Sequence, residues 1–242
     1  MNRVRPFDHT VYSGSSVRSD AVAEAQKEFV TKVFGWMTAA MVVTGVVARG
    51  VFTSQALQQF IFGTPFVFFA LIIAELGLVV YLSAAINRMS AATATWAFLG
   101  YSALNGLTLS VIFMAFTSES LASTFIITAA MFGAMAAWGY FTKKDLTSLG
   151  SLAFMGLIGI LIASLVNLFL RSEGLYWIVS YVGVLVFTGL TAYDTQRIKE
   201  MAVMGGSDAE SYQKAAVLGA LKLYLDFINL FIMMLRIMGR RR

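Results

Sequence analysis

The chain has 242 residues, 58% of them apolar and only 13% charged, with a formal net charge of +5. Soluble domains carry about 25% charged residues, so solvating groups are at roughly half their usual supply. About 140 apolar residues, at ~20 per crossing, suffice for about seven spanning helices, and the mean hydropathy of +0.75 agrees. A soluble enzyme, a disordered chain and a secreted disulfide scaffold are all disfavoured. There is no cysteine, which removes disulfides, thiol catalysis and cysteine metal sites. The single histidine, His9, lies in a polar stretch, so histidine catalysis and His-cluster zinc sites go too. With two prolines in the whole chain, long helices run uninterrupted. The composition predicts an all-α, polytopic membrane protein.

Residues 1–28 are polar and mixed in charge, with Ser13-Gly14-Ser15-Ser16 at their centre. No apolar core follows an early basic cluster, so this stretch predicts a solvated, disordered tail and not a cleaved signal peptide. Residues 29–242 form the membrane domain. Seven apolar stretches run at approximately 31–52, 65–86, 91–116, 121–141, 149–170, 175–199 and 215–237. The links at 87–90, 117–120, 142–148 and 171–174 are short, which predicts antiparallel neighbours in a compact bundle. A longer stretch at 204–213 carries Gly205-Gly206-Ser207 as breakers. Gly133-x-x-x-Ala137 and Ala130-x-x-x-Ala134 are small pairs of the kind that let helices pack closely in lipid. The thirteen methionines are scattered and read as adaptable packing residues, not as a copper-binding array.

Lysine and arginine set the orientation. With the N-terminus inside, the inner segments hold eleven of them, among them Lys27, Lys32, Arg88, Lys143, Lys144, Arg197, Lys199 and Lys214. The outer segments hold five: Arg49, Arg171 and Arg240-Arg241-Arg242. That favours an inner N-terminus. The basic C-terminus is the exception, because seven crossings leave it outside unless the last segment is re-entrant. The excess positive charge is thus read as a topology signal, and no nucleic-acid partner is expected.

Four ionisable residues fall inside the apolar stretches: Glu75, Asp194, Lys222 and Asp226. A charge at mid-bilayer costs at least ~2.5–3.5 kcal/mol and persists when it pairs, faces a cavity or loses its charge. Lys222, Asp226 and Asn229 are spaced by about one turn and share a face of the seventh helix. A helix with such a stripe belongs at the bundle centre, away from lipid. An internal Lys222–Asp226 ion pair that merely ties helices together is the plain alternative. Asp194 follows Thr191-Ala192-Tyr193 on the sixth stretch, at a depth near that of Asp226 on its antiparallel neighbour. A close carboxylate pair is geometrically reasonable, and such a pair shares a proton because both groups cannot readily ionise together. The plain reading of Asp194 is a solvated acid near a helix end. Glu75, mid-way along the second stretch, needs a proton, a partner from another helix or water. Asn105 and Asn167 read as mid-span amides that hold helices together.

Leu223-Tyr224-Leu225-Asp226-Phe227-Ile228-Asn229-Leu230-Phe231, with Gly189-Leu190-Thr191-Ala192-Tyr193-Asp194-Thr195-Gln196 and Lys143-Lys144-Asp145-Leu146, resembles the signature of the Bax inhibitor-1 family. The resemblance covers about residues 29–242 and is nearest the bacterial inner-membrane branch. It implies a seven-helix bundle with the last helix central, in the cell inner membrane. It further implies a pH-sensitive calcium leak, with the family's di-aspartyl sensor falling on Asp194 and Asp226. The family's acidic residue on the second helix falls on Glu75. Arg88 is the nearest candidate for the basic residue that pairs with the dyad in some members, slightly displaced from the pattern. Lys222, a cation one turn from Asp226, is a departure that would hold Asp226 ionised and shift the latch.

The leading expectation is a calcium-permeable leak channel gated by the buried pair. The bilayer and calcium are its partners, with calcium a transported ion and no cofactor. Calcium takes oxygen ligands. Asp194 and Asp226 would give weak, transient calcium sites, with Glu75, Arg88, Lys222 and Asn229 as pore or countercharge residues. A second reading is a membrane module that restrains a protein partner such as a membrane protease complex. An intramembrane aspartyl protease would also use two aspartates as acid and base, but Leu223-Tyr224-Leu225-Asp226 lacks the Gly-x-Gly-Asp that lets an extended substrate approach. An enzyme is therefore not expected. A proton-coupled transporter would need matched broken helices or repeats, which the sequence does not offer.

Overall fold

The computed structural model describes residues 10–204 and 208–242. Among these residues there are eight α-helices, in order α1 (Thr10–Thr53), α2 (Gln55–Phe62), α3 (Pro65–Ala85), α4 (Ala91–Ala115), α5 (Ser118–Phe141), α6 (Thr147–Leu170), α7 (Glu173–Met204) and α8 (Ala209–Met238). All except α2 are long and apolar enough to cross a bilayer. The seven expected spans are all present, each within a few residues at the ends that begin or close a link. Local chemistry sets many of the starts. Ser54, Ser90, Thr117 and Asp208 each accept a backbone N–H of the first turn, and Pro65 opens α3, where its missing N–H costs nothing.

Two features depart from the expectation at the N-terminal side. Helix α1 begins at Thr10, so residues 10–28 continue the first span as helix where the composition suggested a disordered tail. Ala21, Ala23, Glu24, Ala25, Gln26, Lys27 and Glu28 are all helix formers except for the single Val22 among them, and Phe29 and Val33 anchor the helix in the core. At 1.5 Å per residue, its 44 residues extend about 66 Å, twice the ~30 Å hydrocarbon layer. The first nine residues and the breakers Gly205-Gly206-Ser207 lie outside the described residues. The short helix α2 was not anticipated. It fills the link after α1 and rests on α1 and α3.

Helix α8 is the hub. It packs against α1, α4, α5 and α7 and is the most buried of the spans, with Tyr224, Leu221, Leu223 and Leu230 fully enclosed. It is unbroken over its 30 residues, long enough and apolar enough to cross a bilayer, with no break at which a re-entrant segment would turn back. Helices α3 and α6 are peripheral, and each rests chiefly on one long neighbour, α4 and α7 respectively.

Short links do not guarantee neighbours here. Helix α5 follows α4 and precedes α6, yet it packs mainly on α7 and α8. The C-terminal residues explain part of this. Arg242 donates its N–H to Ala115, Thr117 donates to Arg240, and Arg240 donates to the Ser120 hydroxyl, so the chain end is paired against the α4–α5 link. The small pairs picked from the sequence are also not the packing seam. Gly133 and Ala137 are exposed and a side chain at Gly133 would meet nothing. The close approach is instead at Gly139 of α5, where a Cβ would collide with the backbone of Ala192 on α7.

The start of α1 and the C-terminal residues lie at opposite faces of the bundle, since α1 starts at the face where α7 ends and Arg242 sits over Phe52 at the far end of α1. With the basic residues favouring an inner N-terminus, a reporter fused at residue 1 should score as cytoplasmic and one fused after residue 242 as periplasmic. The same side for both would contradict the seven-crossing path.

Candidate functional site

At the α7–α8 interface, Asp226 is 5% exposed on α8, and Asp194 on the facing α7 has a side chain that is 13% exposed. One carboxyl oxygen of Asp226, Oδ2, is buried without a hydrogen-bond partner. Lys222 does not pair with Asp226. Its ammonium lies 3.9 Å from Asp194 Oδ1, at the edge of an ion pair, and its side chain is 45% exposed. The cation therefore sits on the solvent or headgroup side of the pair and Asp226 on the inner side. Helix α8 stays continuous through Asp226, so no unwound backbone is offered to a peptide.

The other predicted residues are not gathered here. Arg88 lies in an exposed 3-10 turn after α3 and takes part in none of the ion pairs found among the described residues. Asn229 turns back on its own helix, donating to the Leu225 carbonyl at 2.8 Å. Asn167 is not a mid-span amide: its Oδ1 accepts the Ser172 N–H at 2.9 Å and closes the α6–α7 turn. Glu75 is half-buried on α3 and accepts the Thr108 hydroxyl of α4 at 2.7 Å. It is separated from the aspartates by α4 and α8.

Glu75 instead leads into a second polar cluster that sequence reasoning missed. Tyr224 is fully buried, and its hydroxyl lies 2.7 Å from that of Thr44, which also reaches the Ser102 carbonyl at 2.8 Å. Phe98 and Tyr101 meet the Tyr224 ring edge-on, and Asn105 donates weakly to the Tyr101 hydroxyl at 3.4 Å. Tyr224 and Asp226 are two residues apart, so they point about 200° from each other around α8. One helix thus carries two polar contacts at one depth, toward α7 on one side and toward α1 and α4 on the other. Tyr224 sits within the recognised motif, but nothing in the sequence marks Thr44 as its partner.

The Lys143-Lys144-Asp145-Leu146 segment acquires a structural role. Gln196, two residues past Asp194, accepts the Leu146 N–H and donates to the Lys144 carbonyl, both at 2.9 Å. Lys199 donates to the Tyr140 carbonyl at 2.8 Å. The α5–α6 loop is thereby fastened to α7 next to the aspartate. Asp145 accepts the Thr147 N–H at 2.8 Å, and hydrogen bonding from Thr147 holds its carboxyl below the usual carboxylate range. That stabilisation is complete above the ordinary range and is lost as pH falls through the lowered folded value.

Three outcomes follow from these contacts. Tyr224→Phe removes one hydroxyl contact worth about 1 kcal/mol, which for a chain of this size lowers Tm by roughly 2–4 °C in a detergent melt. Gln196→Ala strips two backbone groups of their partner and should destabilise more than Tyr224→Phe in the same melt. The difference in Tm between wild type and Asp145→Ala should shrink as the pH is lowered below the carboxylate range.

The profile of the family described as "Inhibitor of apoptosis-promoting Bax1" (Bax1-I) matches residues 26–242. The inner membrane protein YbhL of Escherichia coli strain K12 is 50% identical over 229 residues, covering 93% of this chain and 98% of YbhL. A protein of Borreliella burgdorferi is 48% identical over 217 residues, covering 90% of this chain and 94% of its own. One from Rickettsia prowazekii is 40% identical over 236 residues, covering 98% and 99%. With seven spans of its own and a half-identical relative in the inner membrane, this chain is a multi-pass inner-membrane protein, and it belongs to the Bax inhibitor-1 family.

Proposed function

We propose that the protein is a calcium-permeable leak channel whose opening is controlled by a proton shared between Asp194 and Asp226. What supports this reading is the burial of Asp226 on α8 together with Asp194 on the facing α7, whose carboxyl lies 3.9 Å from Lys222, one turn before Asp226. With one proton between them, the pair carries a single negative charge and a hydrogen bond, and α7 and α8 are held together. Losing that proton leaves two like charges. At about 4 Å and an effective dielectric of 20 they repel by ~4 kcal/mol, enough to shift a two-state equilibrium several hundredfold. Lys222, 3.9 Å from Asp194, offsets part of the repulsion, so the response is shallower than in a pair without a cation.

Two carboxylates suit weak transit of calcium, which prefers six to eight oxygens when tightly held. No group of three or more His, Cys, Asp or Glu side chains gathers among the described residues. Glu75 lies on the other side of α8 and serves this reading as a separate acidic contact on α3, not as a member of the gate.

Purified protein in calcium-dye liposomes should show flux that rises with pH. Asp194→Asn and Asp226→Asn should each flatten that dependence while the bundle stays folded. Lys222→Gln should steepen it. An unchanged pH profile in both aspartate variants would remove the pair from the mechanism, and absence of flux from the pure protein would remove the channel.

A further inference from the structure

Helix α5 leaves a cleft of about 450 Å³ against α1 and α4, with Phe227 and Phe231 of α8 as its floor. That volume falls within the ~300–1,000 Å³ of ligand sites. The cleft lies within the spanning segments and opens sideways, because Gly45, Phe125 and Ile126 along it are exposed. Its wall is almost wholly apolar, so water gains few partners there. In a bilayer the phase at its mouth is acyl chain.

The polar rim lies at one end. Arg49 lines the cleft, and Arg242 sits 5.1 Å above the ring of Phe52, which lines it as well. Neither arginine is in any of the ion pairs found among the described residues. Arg240 and Arg241 follow along the chain end that is paired with the α4–α5 link, and Glu119 is the acid at the start of α5. An apolar slot with a cationic rim is complementary to a lipid with an apolar tail and an anionic head, and guanidinium groups match phosphate oxygens two at a time.

We propose that this cleft holds one acyl chain of an anionic phospholipid, with its phosphate on Arg49 and Arg242. The lipid fills the gap between α5 and the α1–α4 pair, which protein side chains leave open. It also gives the outward arginines, which run against the positive-inside trend, an anion to meet.

The test uses the full chain in vesicles carrying a trace of phosphatidylglycerol with a photoactivatable acyl chain, or the matched phosphatidylcholine probe. Label is mapped by peptide mass spectrometry. Label on the Phe125–Ile126 region should be at least fivefold higher with the phosphatidylglycerol probe. The Arg49→Gln, Arg242→Gln double variant should bring it down to the phosphatidylcholine level. Gly45→Leu, whose added side chain starts in open space at that position, should reduce cleft label from both probes and leave label on the lipid-facing sides of α3 and α6 unchanged. Cleft label no higher than that on α3 and α6, equal label from the two probes, or cross-linked dimers that protect the cleft would each overturn the proposal. The arginine variant alters only rim residues, so its result stands even if Gly45→Leu fails to fold.

Discussion

A carboxyl group at mid-bilayer governs the arrangement of this protein. Lipid tails offer Asp226 neither water nor hydrogen bonds, and leaving it against them costs several kcal/mol. The helix that bears it is therefore the one most completely wrapped by protein, with α1, α4, α5 and α7 around it. Tyr224 adds to the same demand from the opposite side of α8, since a buried phenol needs a partner and finds Thr44. Two polar residues on opposite faces cannot both be met by one neighbour. Enclosure on several sides follows from that, and the peripheral positions are left to α3 and α6, which are the most apolar spans and the least buried.

The packing around α8 also accounts for the least regular part of the bundle. Four helices crowd one axis, and α5 reaches α7 and α8 by way of Gly139, where only a glycine lets the two backbones approach. Drawn in on that side, α5 does not close against α4, its predecessor in the chain. The link between them is held by the chain end through backbone bonds at Ala115, Thr117 and Ser120, and beneath this closure the cleft remains. The lateral opening is thus a consequence of where the small residues are, not of long connections.

The number and approximate bounds of the spans were legible because a bilayer demands ~20 apolar residues per helix and the links are marked by Ser, Thr, Asn and charged residues. The central place of α8 was legible from Asp226 for the same reason. The neighbours of each helix were not. Which glycine is a contact depends on the opposite helix, and Gly133 and Gly139 look alike in sequence, six residues apart, while only the second meets a backbone. The start of α1 was obscured because charged and polar residues at 10–28 suggest solvent, and helix propensity in Ala-Glu-Lys sequence is equally compatible with solvent-exposed helix. Asn167 was misjudged from its position near the end of an apolar run, where capping competes with interhelical bonding. Thr44 carries no sequence signal, and Gln196, though it closes the Tyr193-Asp194-Thr195-Gln196 run of the motif, carries none for its partners, since both roles exist only when distant segments meet.

The placement of Lys222 bears on how the proposed gate would be tuned. Spacing along α8 puts Lys222 beside Asp226, and a helical pair four residues apart would be the ordinary outcome. The structure instead turns the ammonium toward Asp194 across the interface, because Asp226 faces inward and is 5% exposed while Lys222 keeps its head near the exterior, as long cationic side chains do. The cation thereby ties α8 to α7 across the interface. In the proposed gate it weakens the dependence on the proton. In that gate, a neutral residue at position 222 would leave a shared proton as the tie between α7 and α8, and the interface would answer to pH more sharply.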